Sequence, residues 1–299
     1  MATVPAWRAW TAGCAAALPL LASPCASGAE WGLDATAAAQ YDDNLPNAIE
    51  AADRKSDLAA LFTLSGLLHG QPGDSTGASI GLVMESLTQG RFHDLDNLAL
   101  GARASMRHKF GLGPDVPWVS IALGALHHDY NYDYRDGWRY EAGLTAGVRP
   151  AERLDLSAVV QYDRFEADRL QPAILPGVST AAYDVAGWTF GARAGWLATE
   201  ADTLLFSLSR RHGTVTAVTP PVFEILEYSS AVALDPVFDG NPIAYRVAVD
   251  SDTLAVGWAH ALSSHVSIGF TYAYRHSSDQ DADFSYRSNL VNLSLSYTR

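Results

Sequence analysis

Eight arginines stand out as residues whose type and placement could act together: Arg103, Arg107, Arg139, Arg149, Arg193, Arg211, Arg275 and Arg287. Each lies in a segment where apolar residues take every second position, and each is assigned to the opposite face. Successive side chains of a strand point to opposite faces, so this pattern separates a charged face from an apolar one. A guanidinium is a planar fork that matches a carboxylate, and Arg side chains lining a pore favour anions. Glu85, Glu141, Asp155 and Asp163 fall on the same face. Two readings follow. The arginines line a passage for small anionic or saccharide solutes, or they pair with the acids and brace a nearly closed structure. The expected lining set is Arg103, Arg107, Arg139, Glu141, Arg193, Arg211, Arg275 and Arg287.

Other constellations carry residue types capable of chemistry. His276 and Ser278 have the two-residue spacing of a base and nucleophile on one strand face. A serine nucleophile also needs an orienting partner within hydrogen-bond reach, and none can be assigned from sequence. Asp94 and Asp96 form an acidic pair without an evident His–Asp pair to match it. The run Asp279-Gln280-Asp281-Ala282-Asp283 alternates carboxylates, but it lacks the glycine and distal glutamate of a calcium loop. His127, His128 and His212 show no companion ligands at metal spacing. No catalytic residue, metal or cofactor is expected.

The elements that must position these side chains are strands. In Trp138–Arg149, Trp138, Tyr140, Ala142, Leu144, Ala146 and Val148 occupy one face and Arg139, Glu141, Gly143, Thr145, Gly147 and Arg149 the other. About twelve segments carry this alternation, joined by turns that are alternately short and long. The longest connection is 213–252. Segments of alternating hydrophobicity with short turns at one end and long loops at the other mark a barrel of the bacterial outer membrane. The expected fold is all-β: an antiparallel up-and-down transmembrane β-barrel of twelve strands, or fourteen if 213–252 hides a hairpin of Phe223–Tyr228 with Ile243–Val249. Ile243–Val249 is better read as an extension of the tenth strand. Trp31, Tyr41, Trp118, Trp138, Tyr140, Trp188, Trp196 and Tyr274 lie near strand ends, where headgroup-level aromatic girdles belong.

The N-terminus reads as export machinery. Arg8, the apolar stretch Ala15–Leu21 and the small residues Ala26, Ser27, Gly28 and Ala29 predict a secretory signal peptide over 1–29, with the barrel over 30–299. Both cysteines, Cys14 and Cys25, fall in that leader, so the remainder has no thiol chemistry. No apolar run approaches the roughly 18 residues of a spanning helix. A net charge of −13 argues against nucleic acid as a partner.

Tyr41-Asp42-Asp43-Asn44-Leu45, a polar loop, and Lys55-Ser56-Asp57-Leu58 open the barrel region. Tyr286-Arg287-Ser288-Asn289-Leu290 and Asn292-Leu293-Ser294-Leu295-Ser296-Tyr297 close it. These stretches resemble the β-barrel porin proteins of Gram-negative bacteria, and the barrel of surface lipoprotein assembly modifiers in style. Thr298 and Arg299 follow the final aromatic that such barrels usually end on. The resemblance implies a place in the cell outer membrane, reached through the periplasm. It also implies outer-membrane lipid, lipopolysaccharide and the barrel assembly machinery as partners. It transfers no catalytic residue.

Overall fold

The computed structural model describes residues 29–280 and 284–299. The predicted leader and Asp281-Ala282-Asp283 lie outside the described residues, apart from Ala29. Thirteen strands form one antiparallel sheet. In chain order they are β1 (Glu30–Asp42), β2 (Asp57–Gly73), β3 (Thr76–Gln89), β4 (Asn97–Lys109), β5 (Trp118–Tyr130), β6 (Gly137–Ala151), β7 (Leu154–Ala167), β8 (Val185–Leu197), β9 (Asp202–Thr219), β10 (Ala231–Phe238), β11 (Asn241–Ala261), β12 (Val266–Asp279) and β13 (Ser285–Thr298).

Twelve of them close a barrel. Each pairs with its successor, except that β9 passes over β10 to pair with β11. β13 returns to β1 in a register running from Asp34↔Thr298 to Asp42↔Leu290. Closure leaves the ring no free edge, which is what a spanning sheet requires where no water can satisfy its backbone. The remaining strand, β10, pairs only with the outer end of β11, from Ala231↔Arg246 to Phe238↔Asn241. β12 takes over that side of β11 from Val249 onward. Phe223–Tyr228 is a short helix, α1. The fourteen-strand alternative therefore fails, and Ile243–Val249 is the extension of the tenth barrel strand, β11.

The apolar face points outward. Leu82 is 74% exposed, Leu208 61% and Leu254 57%, while the facing positions Val83, Ser207 and Ala255 are buried. A water-soluble sheet would bury those leucines. Trp31, Tyr41, Trp138, Tyr140, Trp188, Trp196 and Tyr274 also face outward. Trp118 does not. It shares parity with the inward Leu126, and its ring lies 3.9 Å beneath the Arg107 guanidinium. It packs over Gly147, where a Cβ would sit 2.4 Å from the indole. The β-carbon missing at 147 is what lets this tryptophan turn in.

Side chains at the loop ends set the turn geometry. At one end, Asp202 N donates to Thr199 Oγ1 (2.9 Å), and Val266 N to Ser263 Oγ (3.1 Å). At the other, an acid late in each of three loops accepts from the preceding strand end. Gln89 N donates to Asp96 (2.6 Å), Tyr130 N to Asp136 (2.7 Å) and Ala167 N to Asp184 (2.8 Å). The Asp94–Asp96 pair is thus a loop brace.

Candidate functional site

Strand parity places Arg103 and Arg107 on β4, Arg139 and Glu141 on β6, Arg193 on β8, Arg211 on β9 and Arg275 on β12 inside the barrel. Arg287 is a correction. β13 runs from Ser285 to Thr298 without a bulge, so Arg287 shares a face with the half-exposed Leu293 and Leu295 and points outward. Tyr286 and Ser288 take the inward positions there.

The lumenal charges form two paired groups at mid-barrel. Arg103 Nη2 lies 2.8 Å from Glu85 Oε1 and 3.7 Å from Glu141 Oε2, while Arg139 Nε donates to Glu141 Oε1 at 2.9 Å. Arg211 grips Asp163 with both ends of its fork, at 2.9 and 3.3 Å. Its guanidinium lies flat on Gly187, where a Cβ would approach Cζ to 2.5 Å. Near the other end, Arg149 makes a similar bidentate pair with Asp155, at 2.9 and 3.0 Å. Beside the mid-barrel pairs lies a cavity of about 90 Å³, whose walls include Arg139, Arg193, Arg211, Arg275, Asp163 and Thr189.

The outer mouth carries a lid. β9 continues beyond Gly213, where its pairing with β8 stops, and rises with β11 and β10 as a three-stranded extension. Loop 43–56, from the β1–β2 hairpin, crosses to meet it. Val218 N donates to Pro46 O (2.8 Å), Asn47 Nδ2 to Thr216 O (3.0 Å) and Asn241 Nδ2 to Asp53 O (2.8 Å). Asn47 takes a left-handed backbone there (φ 55°), a conformation asparagine tolerates better than most residues. The lid has a packed interior. Leu45, Phe92, Leu95, Tyr183, Val237 and Phe238 are buried in one cluster with strand-end residues Tyr130, Phe165 and Val185. Val215, Ile225, Val232, Val247 and Tyr286 are buried in a second.

One ion pair pins three loops together. Arg135, from the β5–β6 loop, bonds the carboxylate of Asp235 on β10, and neither side chain has any exposure. Tyr183, from the β7–β8 loop, donates to Asp235 Oδ2 at 3.1 Å, and Arg135 lies over its ring at 4.6 Å. Burial pushes the Tyr183 phenol far above its ordinary range, so its hydroxyl stays a donor. Burial, with the nearby Asp235 charge adding to it, pushes Tyr132 up to about 12. Asp136 is also raised by burial, against the hydrogen bond from Tyr130 N.

The other sequence candidates do not assemble. His276 and Ser278 face outward at the rim of β12. Asp252 stands across from His276 on β11, but its carboxylate is taken by Arg210 at 3.3 Å. His127 pairs with Asp168 at 2.7 Å and His212 with Asp250 at 2.8 Å. His128 is buried against Asn97 at 3.3 Å. No group of metal ligands is present among the described residues. Sequence reasoning missed the lid. The apolar residues of 213–252, among them Val215, Val218, Ile225, Val232, Val237 and Phe238, were its signal, because a solvated loop has no use for them.

Comparison with solved structures places this geometry among outer-membrane barrels. An outer-membrane channel from Pseudomonas putida F1 superposes with a TM-score of 0.57 at 10% identity, covering 94% of this chain and 99% of its own. The NanC porin gives a TM-score of 0.44 at 10% identity over 89% of this chain and 98% of its own. The KdgM porin gives 0.43 at 9% identity over 88% and 98%. The first likeness shows a shared fold. No family model matches the chain, and neither does any curated protein.

Proposed function

We propose that this chain is a porin-like channel of the Gram-negative outer membrane, exported through the periplasm, passing small anionic or saccharide solutes by diffusion. One observation carries the reading: below the lid, the barrel keeps a cavity walled by Arg139, Arg193, Arg211 and Arg275, with Asp163 the one acid in its wall. A barrel filled only for bracing has no need of that surplus of guanidinium groups. Desolvated cations on a narrow pathway favour anions and repel cations. On this reading the lid is the gate and the mid-barrel pairs set the width below it. No catalytic role is assigned. Single-channel recording of refolded protein tests the proposal. Anion-selective steps that weaken in Arg139→Gln and Arg193→Gln support it, and cation-selective steps or none would end it.

A second reading has its own support. The lid packs two apolar clusters and a buried ion pair over the mouth. A permanently closed scaffold, or an outlet for polysaccharide or lipoprotein opened only by a partner, would be built in this way. Folded protein that stays electrically silent when the lid is released favours it.

A further inference from the structure

We propose that the cavity beneath the lid is a binding site for a small carboxylate anchored by Arg275. This deepens the channel reading by naming the solute class, and it relies on that reading only for the route of entry. Arg275 points inward from β12, is 8% exposed and lines the cavity. Its Nη2 has no hydrogen-bond partner among the described residues. Thr189 Oγ1, on a residue 4% exposed in the same wall, has none either. Buried polar groups are rarely left unpaired, and a charged donor without an acceptor is costly. Both residues line the one cavity, and it is there that an acceptor from outside the chain would sit.

The surrounding charges point to an anion. Arg139 is held by Glu141 and Arg211 by Asp163. Asp42 is the acid whose charge couples to Arg275, and its Oδ1 already accepts from Asn44 N at 2.9 Å. One guanidinium edge is therefore uncommitted, which suits the single charge and planar oxygens of a carboxylate. A doubly charged phosphate would ask for a second free cation. A space of about 90 Å³ limits the ligand to a few heavy atoms, or to the acidic end of a longer solute.

Calorimetric titration of the refolded full barrel in detergent tests this, with acetate and lactate as probes and glycerol as the neutral control. Folding is checked by heat-modifiable gel migration. The expected result is saturable binding of both acids but not of glycerol, weakened at least tenfold in Arg275→Gln and less in Arg275→Lys. If Arg275→Gln does not fold, Thr189→Val takes its place, with weakening of several-fold expected. No saturable binding to the native chain, or binding unchanged in the folded variant, overturns the site. Binding without conductance would overturn passage and leave the site standing. Anion conductance without binding would do the reverse.

Discussion

Replacing Asp235 with asparagine should release the lid. Arg135 and Asp235 have no exposed side-chain surface and come from different outer connections, the β5–β6 loop and β10. Asparagine keeps the shape but leaves the Arg135 guanidinium buried and unpaired. It also weakens the acceptor for Tyr183 OH and Val237 N. Removing one partner of a buried pair costs about 3–5 kcal/mol. At about 1.4 kcal/mol per tenfold, the closed-to-open ratio of the lid falls by two to three and a half orders of magnitude. The lid and barrel share strands β9 and β11, but the barrel ladders below Gly213 do not depend on the pair, so the barrel stays folded. Two assays read the change: open probability in a planar bilayer, and amide exchange across 214–248. Both should rise in Asp235→Asn. The double variant Arg135→Leu with Asp235→Leu should close again, because apolar residues of similar volume replace a buried pair at little cost. A single variant indistinguishable from the native chain in both assays would refute the reasoning. So would a double variant as open as the single one.

The lid should also loosen at high pH. Tyr132 titrates at about 12 when packed but near 10 when exposed, so the opened form loses its proton first. The stability this phenol gives the closed lid is intact below pH 10 and declines between about 10 and 12, with Tyr183 acting in the same direction; proteolysis of 214–248 against pH reads it. Leu82→Arg should destabilise the barrel by about 2–4 kcal/mol in lipid, because Leu82 faces the membrane near mid-strand. Urea unfolding from vesicles measures this, and a change near zero would mean that face meets water. Gly187→Val should push Arg211 off Asp163, lowering the thermal stability of the barrel and altering conductance selectivity. Arg103→Gln should leave Glu85 and Glu141 facing each other, weakening anion selectivity in reversal-potential measurements.

Much of the barrel was legible because alternation is a local signal. In β6, six apolar side chains alternate with Arg139, Glu141 and Arg149, and no tertiary information is needed to assign the faces. The same rule located Arg103, Arg107, Arg193, Arg211 and Arg275. It failed for Arg287, where Tyr286, Ser288 and Leu290 give no clean polarity contrast and only the continuous ladder to β12 fixes parity. It failed for Trp118, because indole at a strand end suits either a girdle or a lumen. What decided was Gly147, on the neighbouring strand. The lid lay beyond reach for a different reason. Its cohesion comes from contacts such as Pro46 with Val218 and Arg135 with Asp235, separated by a hundred residues or more and carrying no periodic pattern. Pairings of this kind are invisible to a reading that moves along the chain.

Reversal potential in a salt gradient, recorded from single refolded barrels, tests the central claim that the Arg-walled lumen is an anion path. Potassium chloride across the bilayer should give discrete steps that reverse on the chloride side of zero, brief in the native chain and prolonged in Asp235→Asn. Steps reversing on the potassium side, or silence from both folded proteins, would contradict it.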